Sequence, residues 1–125
     1  MSETILVVGS KPIDEQTVIW DLLKADYQVR YTASVSSVIR IVAIEMPSAV
    51  LLSQEPDQAL KICSSIRNVA PTMPLLVIGH ENNTVLSVKL FQADADAYIL
   101  EPFDAAELIA RIRSAVHRSK KSPID

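Results

Sequence analysis

The 125-residue chain is long enough to bury a sizeable core without disulfides or metal ions, and we expect it to form a single domain. Its net charge of −3 excludes an overall basic attraction to nucleic acid or anionic lipid, and its lone cysteine, Cys63, excludes a disulfide or a cysteine metal site within one chain. Only two glycines argue against a glycine-rich nucleotide loop, and the lack of a long apolar run or of a basic stretch before the first apolar segment predicts a cytoplasmic domain.

Apolar runs and helical patterns alternate along the chain. In chain order, the sequence predicts a strand at 4–9, a helix at 14–27, a strand at 28–33, a helix at 35–46, a strand at 48–53, a helix at 57–70, a strand at 74–79, a helix at 82–93, a strand at 96–100 and a helix at 104–121. In the helix at 35–46, the spacing predicts that Ile41 and Ile44 fall off a core face formed by Val35, Val38, Ile39, Val42 and Met46.

This strict alternation predicts an α/β fold with a doubly wound, five-stranded parallel sheet and five helices. The first, third and fourth strands are continuous apolar runs, which is typical of strands covered by helices on both faces. We expect the domain to occupy residues 1–119, and residues 120–125 to form a polar tail or linker that would continue into a longer regulator.

Three stretches carry a resemblance to a known family. They are PSAVLL around the third strand, the pair Ile66-Arg67 followed by Pro74, and ADAYILEPF near the fifth strand. From Ile5 to about Val116, the chain resembles the receiver domain of bacterial two-component response regulators. The resemblance implies a flavodoxin-like sheet with strand order 2-1-3-4-5 and a site beyond the carboxyl ends of the strands.

The chemistry that the resemblance implies is phosphoryl transfer to an aspartate. That chemistry uses an acidic pair and the acceptor aspartate to hold Mg²⁺, together with a hydroxyl residue and a lysine that contact the phosphoryl oxygens. Here Gly9 and Ser10 stand at the acidic pair, Ser53 at the acceptor, Gly79 at the hydroxyl residue and Glu101 at the lysine. A carboxylate in place of the lysine repels a phosphoryl group by roughly 4 kcal/mol at an effective dielectric constant of about 20. We therefore predict a phosphorylation-independent pseudo-receiver that is not an enzyme, with no catalytic residue, no metal ligand and no cofactor.

Ser53 and nearby acidic residues leave one alternative open. A serine hydroxyl is a weak nucleophile without a neighbouring base, so we interpret Ser53 as a structural remnant, which a separate kinase would still be able to modify. Asp14, Glu55 and Asp57 are expected to cap helices or to face solvent. Acting as displaced acids, they would instead support a conventional phospho-accepting receiver.

The emptied acidic pocket is the basis of a second alternative. A small-molecule-binding module would admit a neutral or cationic ligand between Gly9, Ser10, Ser53 and Gly79. The resemblance also implies that the peptide bond before Pro102 is a candidate cis bond.

If the site is inactive, we expect the domain to act through one of its surfaces. In the family that the chain resembles, the fourth helix, fifth strand and fifth helix form the usual dimer and output surface. The candidate residues of that surface here are Leu86, Val88, Tyr98, Arg111 and Arg113. We predict a protein partner or a homodimer through this face, with no direct contact to nucleic acid or membrane. Tyr98 matches the aromatic position whose orientation reports activation in the family, and we expect no such switch here.

Overall fold

Alternating strands and helices make up the part of the chain that the computed structural model describes, which comprises residues 3–9, 15–54, 56–79, 88–89, 95–101 and 103–120. The strands are β1 (Thr4–Gly9), β2 (Gln28–Thr32), β3 (Ala49–Ser53), β4 (Leu75–Gly79) and β5 (Ala97–Leu100). The helices are α1 (Glu15–Lys24), α2 (Val35–Glu45), α3 (Pro56–Val69) and α4 (Ala105–Lys120).

The five strands form one parallel sheet in the order β2-β1-β3-β4-β5, which confirms the predicted topology. β1, β3 and β4 lie inside the sheet, and their continuous apolar runs are buried because helices cover both faces. β2, at one end of the sheet, shows a mostly exposed pattern. On that strand, Arg30 forms an exposed ion pair with Glu45 of α2, with 3.0 Å between Nε and Oε1.

The described residues contain four helices rather than the five that the sequence predicts. Most of the helix predicted over 82–93 lies outside the described residues, and the two of its residues that are described, 88 and 89, are helical. Within the described part of the chain, no helix has the length and apolar character needed to cross a lipid bilayer.

Two helix ends use left-handed residues that are not glycine. α2 stops at Met46, which has a φ of 49° and donates its backbone N–H to the carbonyl oxygen of Val42. The turn after α1 contains Asp26 with a φ of 68°, and there the N–H of Tyr27 donates to the carbonyl oxygen of Leu22. A left-handed residue is a common helix terminator because it redirects the chain while using the last carbonyl groups.

The core lies in two layers, one on each face of the sheet. α2 and α3 cover one face and contact the side chains of Leu6 and Val8, whereas α1 and α4 cover the other and contact Ile5 and Val7. This division follows from the two-residue period of a strand, which sends successive side chains of β1 to opposite faces.

One prediction about α2 was wrong. Ile41 is 4% exposed and belongs to the core, together with Val38 and Val42, whereas Val35 and Met46 are 40% and 75% exposed. The helix lies on the sheet through a narrow stripe with i, i+3, i+4 spacing, and this stripe passes through Ile41 rather than Val35. Ile44 is 72% exposed, as predicted.

Candidate functional site

The carboxyl ends of four strands bring most of the predicted site positions into one row, which we call the carboxyl edge. β1 ends at Gly9 and β3 at Ser53, and these two residues lie opposite each other in the parallel pairing. β4 ends at Gly79, whose carbonyl oxygen accepts a hydrogen bond of 2.9 Å from the N–H of Glu101, just after β5. The row arises because parallel strands end at the same edge of their sheet.

Two predicted positions, Ser10 and Pro102, lie outside the described residues, and so do Asp14, Glu55 and Leu86. The structure therefore brings together Gly9, Ser53, Gly79 and Glu101 from the predicted set.

The described residues of the carboxyl edge do not fit a Mg²⁺-bound phosphoryl group. Gly9 is buried and contributes no side chain, Ser53 offers a half-buried neutral hydroxyl, and Glu101 is a half-buried acidic residue. Mg²⁺ needs carboxylate oxygens in near-octahedral geometry, which neither Gly9 nor Ser53 supplies. Glu101 adds an acidic side chain to this row, and a carboxylate repels a phosphoryl group rather than attracting it.

An aromatic ring fills space next to Gly79. A Cβ atom built on Gly79 would overlap the Oη, Cε1 and Cζ atoms of Tyr98, so the side chain of Tyr98 lies over this glycine. Sequence reasoning missed this contact. The register of β4 and β5 accounts for this contact, because Val77 lies opposite Tyr98 and Gly79 follows two residues later on the same face of β4.

The opposite end of the sheet, which we call the amino edge, holds a charged network. The Nη2 atom of Arg67, in the last turn of α3, lies 3.1 Å from Oδ2 of Asp96, just before β5. The same carboxylate oxygen accepts a hydrogen bond of 2.7 Å from the N–H of Leu75, at the start of β4. Arg67 also donates to the carbonyl oxygen of Met73. These contacts give a structural reason for the motif residues Arg67 and Asp96, because they join α3, β4 and β5.

Cys63 lies fully buried near this network. Burial raises the pKa of its thiol to about 11, and the nearby positive charge of Arg67 only partly offsets that effect. The thiol therefore stays protonated near neutral pH and acts as a small apolar side chain in the core.

The predicted interaction surface is described in part. Val88 is 50% exposed, and Arg111 and Arg113 are exposed on α4. Arg111 approaches Glu107 one turn earlier, with 3.9 Å between Nη2 and Oε2. Tyr98 is half-buried and packs against the core on the α2 and α3 side.

Other exposed or open regions were not predicted. Trp20 and Leu23 on α1 are 59% and 49% exposed, and the Lys24 ammonium lies 5.4 Å from the centre of the Trp20 ring. A cavity of about 330 Å³ opens at the amino edge, with Met46, Val69 and Pro74 among its lining residues.

Sequence comparison connects the chain to a group of signalling proteins. No protein-family model matches it. The curated response regulator MprA of Mycobacterium ulcerans is 27% identical over 122 residues, which cover 96% of this chain and 53% of MprA. The chain thus spans about half the length of this relative.

Solved structures share the fold closely. A response regulator receiver domain protein from Methanospirillum hungatei matches with a TM-score of 0.85 at 20% identity, covering 96% of this chain and 98% of that one. The receiver domain of a sensor histidine kinase from Pseudomonas aeruginosa, whose structure has a magnesium ion coordinated in the active site cleft, matches with a TM-score of 0.83 at 19% identity, covering 94% and 99%. At these identities the likeness is evidence for the fold alone.

Proposed function

We propose that this chain is a receiver domain of the response regulator kind, in line with its curated relatives, and that it is a pseudo-receiver, a signalling domain that acts by binding protein and does not depend on phosphorylation. It is a binding module rather than an enzyme. The observation that carries this proposal is the composition of the carboxyl edge, where Gly9, Ser53, Gly79 and Glu101 lie in one row.

The electrostatics of this row support the proposal. A doubly charged phosphoryl group needs a metal ion or an ammonium beside it, and the described residues of the row offer two glycines, a hydroxyl and an acidic side chain. Repulsion by a carboxylate a few ångströms away costs roughly 4 kcal/mol at an effective dielectric constant of about 20. This repulsion adds to the loss of metal binding, because both changes disfavour the phosphorylated state.

Ser53 is a poor substitute acceptor. A serine hydroxyl is protonated near neutral pH and attacks phosphorus only when a base removes its proton. In the pairing of β1 with β3, Ser53 lies opposite Gly9, which has no basic side chain.

Incubation with acetyl phosphate and Mg²⁺, followed by intact-mass measurement, tests the proposal. We expect the mass of the wild-type chain to stay unchanged, while a conventional receiver treated in parallel gains a phosphate. A phosphate on the wild-type chain would overturn the proposal and favour displaced acids as metal ligands.

We propose that the partner surface comprises the segment around Val88, β5 and α4. Val88 presents an apolar side chain that is half exposed, and Arg111 and Arg113 present exposed cations. Interfaces combine such apolar and arginine contacts. Homodimerisation is the simplest case, and the partner is a protein rather than nucleic acid.

Val88→Glu and Leu23→Glu make a matched pair for testing this surface. The two wild-type side chains are 50% and 49% exposed, but Leu23 lies on α1. We expect Val88→Glu to weaken self-association by roughly tenfold or more in sedimentation velocity, and Leu23→Glu to leave it unchanged. The reverse result would move the interface to α1.

A further inference from the structure

The side chain of Tyr98 reaches Gly79 diagonally across two strands. Tyr98 lies opposite Val77 in the β4–β5 pairing, and the two-residue period places Val77 and Gly79 on the same face of β4. Diagonal neighbours in a sheet are within reach of an aromatic side chain. In this structure the far end of the Tyr98 ring occupies the position that a Cβ on Gly79 would take.

The ring, and not the backbone, is what requires glycine at this position. Gly79 does not have a positive φ, so its backbone conformation is open to any residue. The obstacle to a side chain is the overlap with Oη, Cε1 and Cζ of Tyr98. Gly79 and the present orientation of Tyr98 therefore depend on each other.

Packing on both faces of β5 holds the backbone of Tyr98 in place, and the core side chains border one side of its ring. It is half-buried and packs against the core cluster on the α2 and α3 side of the sheet. Its neighbours along β5, Ala97 and Ile99, are buried on the other face. The start of the strand is fixed by Asp96, which binds Arg67 and the N–H of Leu75.

We infer that Gly79 and Tyr98 form a fixed pair that closes the carboxyl edge and holds the Tyr98 ring in one orientation without any phosphoryl signal. The ring fills the space in which a hydroxyl side chain at residue 79 would stand. The surface that contains β5 is therefore presented in a single state. This inference rests on the proposed function and deepens it, because it names the side chain that fills the space beside Gly79 at the carboxyl edge.

A double-mutant cycle in urea denaturation tests the pair. We expect Gly79→Ala to lower the folding equilibrium constant by roughly tenfold to a hundredfold, because an added methyl group has no room beside the ring. In a Tyr98→Leu background the same change should have no such effect, since the ring atoms are gone. In a Tyr98→Phe background the loss should persist, because Cε1 and Cζ remain.

The orientation of the ring is read independently by NMR. We expect one set of Tyr98 ring resonances in the wild type, with a ring-current shift on the Gly79 α protons that disappears in Tyr98→Leu. Equal effects of Gly79→Ala in the wild-type and Tyr98→Leu backgrounds, or two populated ring orientations in the wild type, would overturn the inference. The wild-type chain could instead take up phosphate while the effect of Gly79→Ala still depends on Tyr98. That result would overturn the proposed function and leave the inferred pair intact.

Discussion

At the amino edge of the sheet, Arg67 and Asp96 form an ion pair that joins α3 to β4 and β5, whereas at the carboxyl edge Gly9, Ser53 and Gly79 carry no charge and Glu101 is the acidic member of the row. The amino-edge residues join three elements of the fold, whereas the carboxyl-edge residues lie where strands end and would serve chemistry rather than packing. Under the proposed function, the fold persists although the site is lost, because the two depend on different side chains.

The largest effect is expected from breaking the amino edge. Asp96→Ala removes the carboxylate that binds Arg67 and the N–H of Leu75, and Arg67 is left largely buried with a side chain only 14% exposed. We expect the free energy of unfolding to fall by about 3 kcal/mol. Circular dichroism in urea is the suitable probe, because Trp20, the only tryptophan, is already 59% exposed in the folded chain. A loss below about 1 kcal/mol would show that the network is incidental to stability.

Alkaline pH is expected to weaken the same edge through Cys63. The folded-state pKa of the thiol is raised from 9.0 to about 11, so the stability it contributes is fully present below pH 9 and is lost as pH rises through 11. Two pKa units correspond to about 2–3 kcal/mol. The stability difference between wild type and Cys63→Ala should stay constant below pH 9 and shrink between pH 9 and 11. A difference that does not change with pH would contradict the assignment.

Ser53→Ala, at the carboxyl edge, should change little. Ser53 is half-buried, and loss of its hydroxyl removes at most an ordinary hydrogen bond, so we expect a cost of about 1 kcal/mol or less. Urea denaturation of Ser53→Ala beside Asp96→Ala measures the contrast between the two edges directly. Equal losses of unfolding free energy in the two variants would show that the two edges contribute alike to stability.

The smallest effect is expected from Glu45→Ala, which serves as the control for Asp96→Ala. This change also breaks an arginine–carboxylate pair, but the side chains of Arg30 and Glu45 are 50% and 43% exposed. Water and salt screen exposed pairs, and we expect a loss of less than about 1 kcal/mol in the same assay. A loss as large as that of Asp96→Ala would mean that burial is not what gives the amino edge its strength.

The fold was largely predictable because its signals are local and repeated. The apolar runs and the alternation with helices indicated a parallel sheet, and the resemblance to receiver domains implied the strand order that the sheet has. The face of α2 was less predictable, since several apolar residues fit more than one stripe and only contact with the sheet selects Ile41 over Val35. The sequence also indicated which residues lie at the carboxyl edge, because each of them stands where a predicted strand ends. The contact of Tyr98 with Gly79 was not predictable, because it depends on side-chain orientation across two strands.

The position of β2 at the end of the sheet has a further consequence for solubility. An end strand exposes unpaired backbone groups on which another sheet can grow, and a charged side chain there discourages such growth. Arg30 lies in the middle of β2 and is held by Glu45, with an Nε to Oε1 distance of 3.0 Å. We therefore expect this arginine to oppose edge-to-edge strand pairing between copies of the domain, and a neutral β-branched residue in its place to promote aggregation.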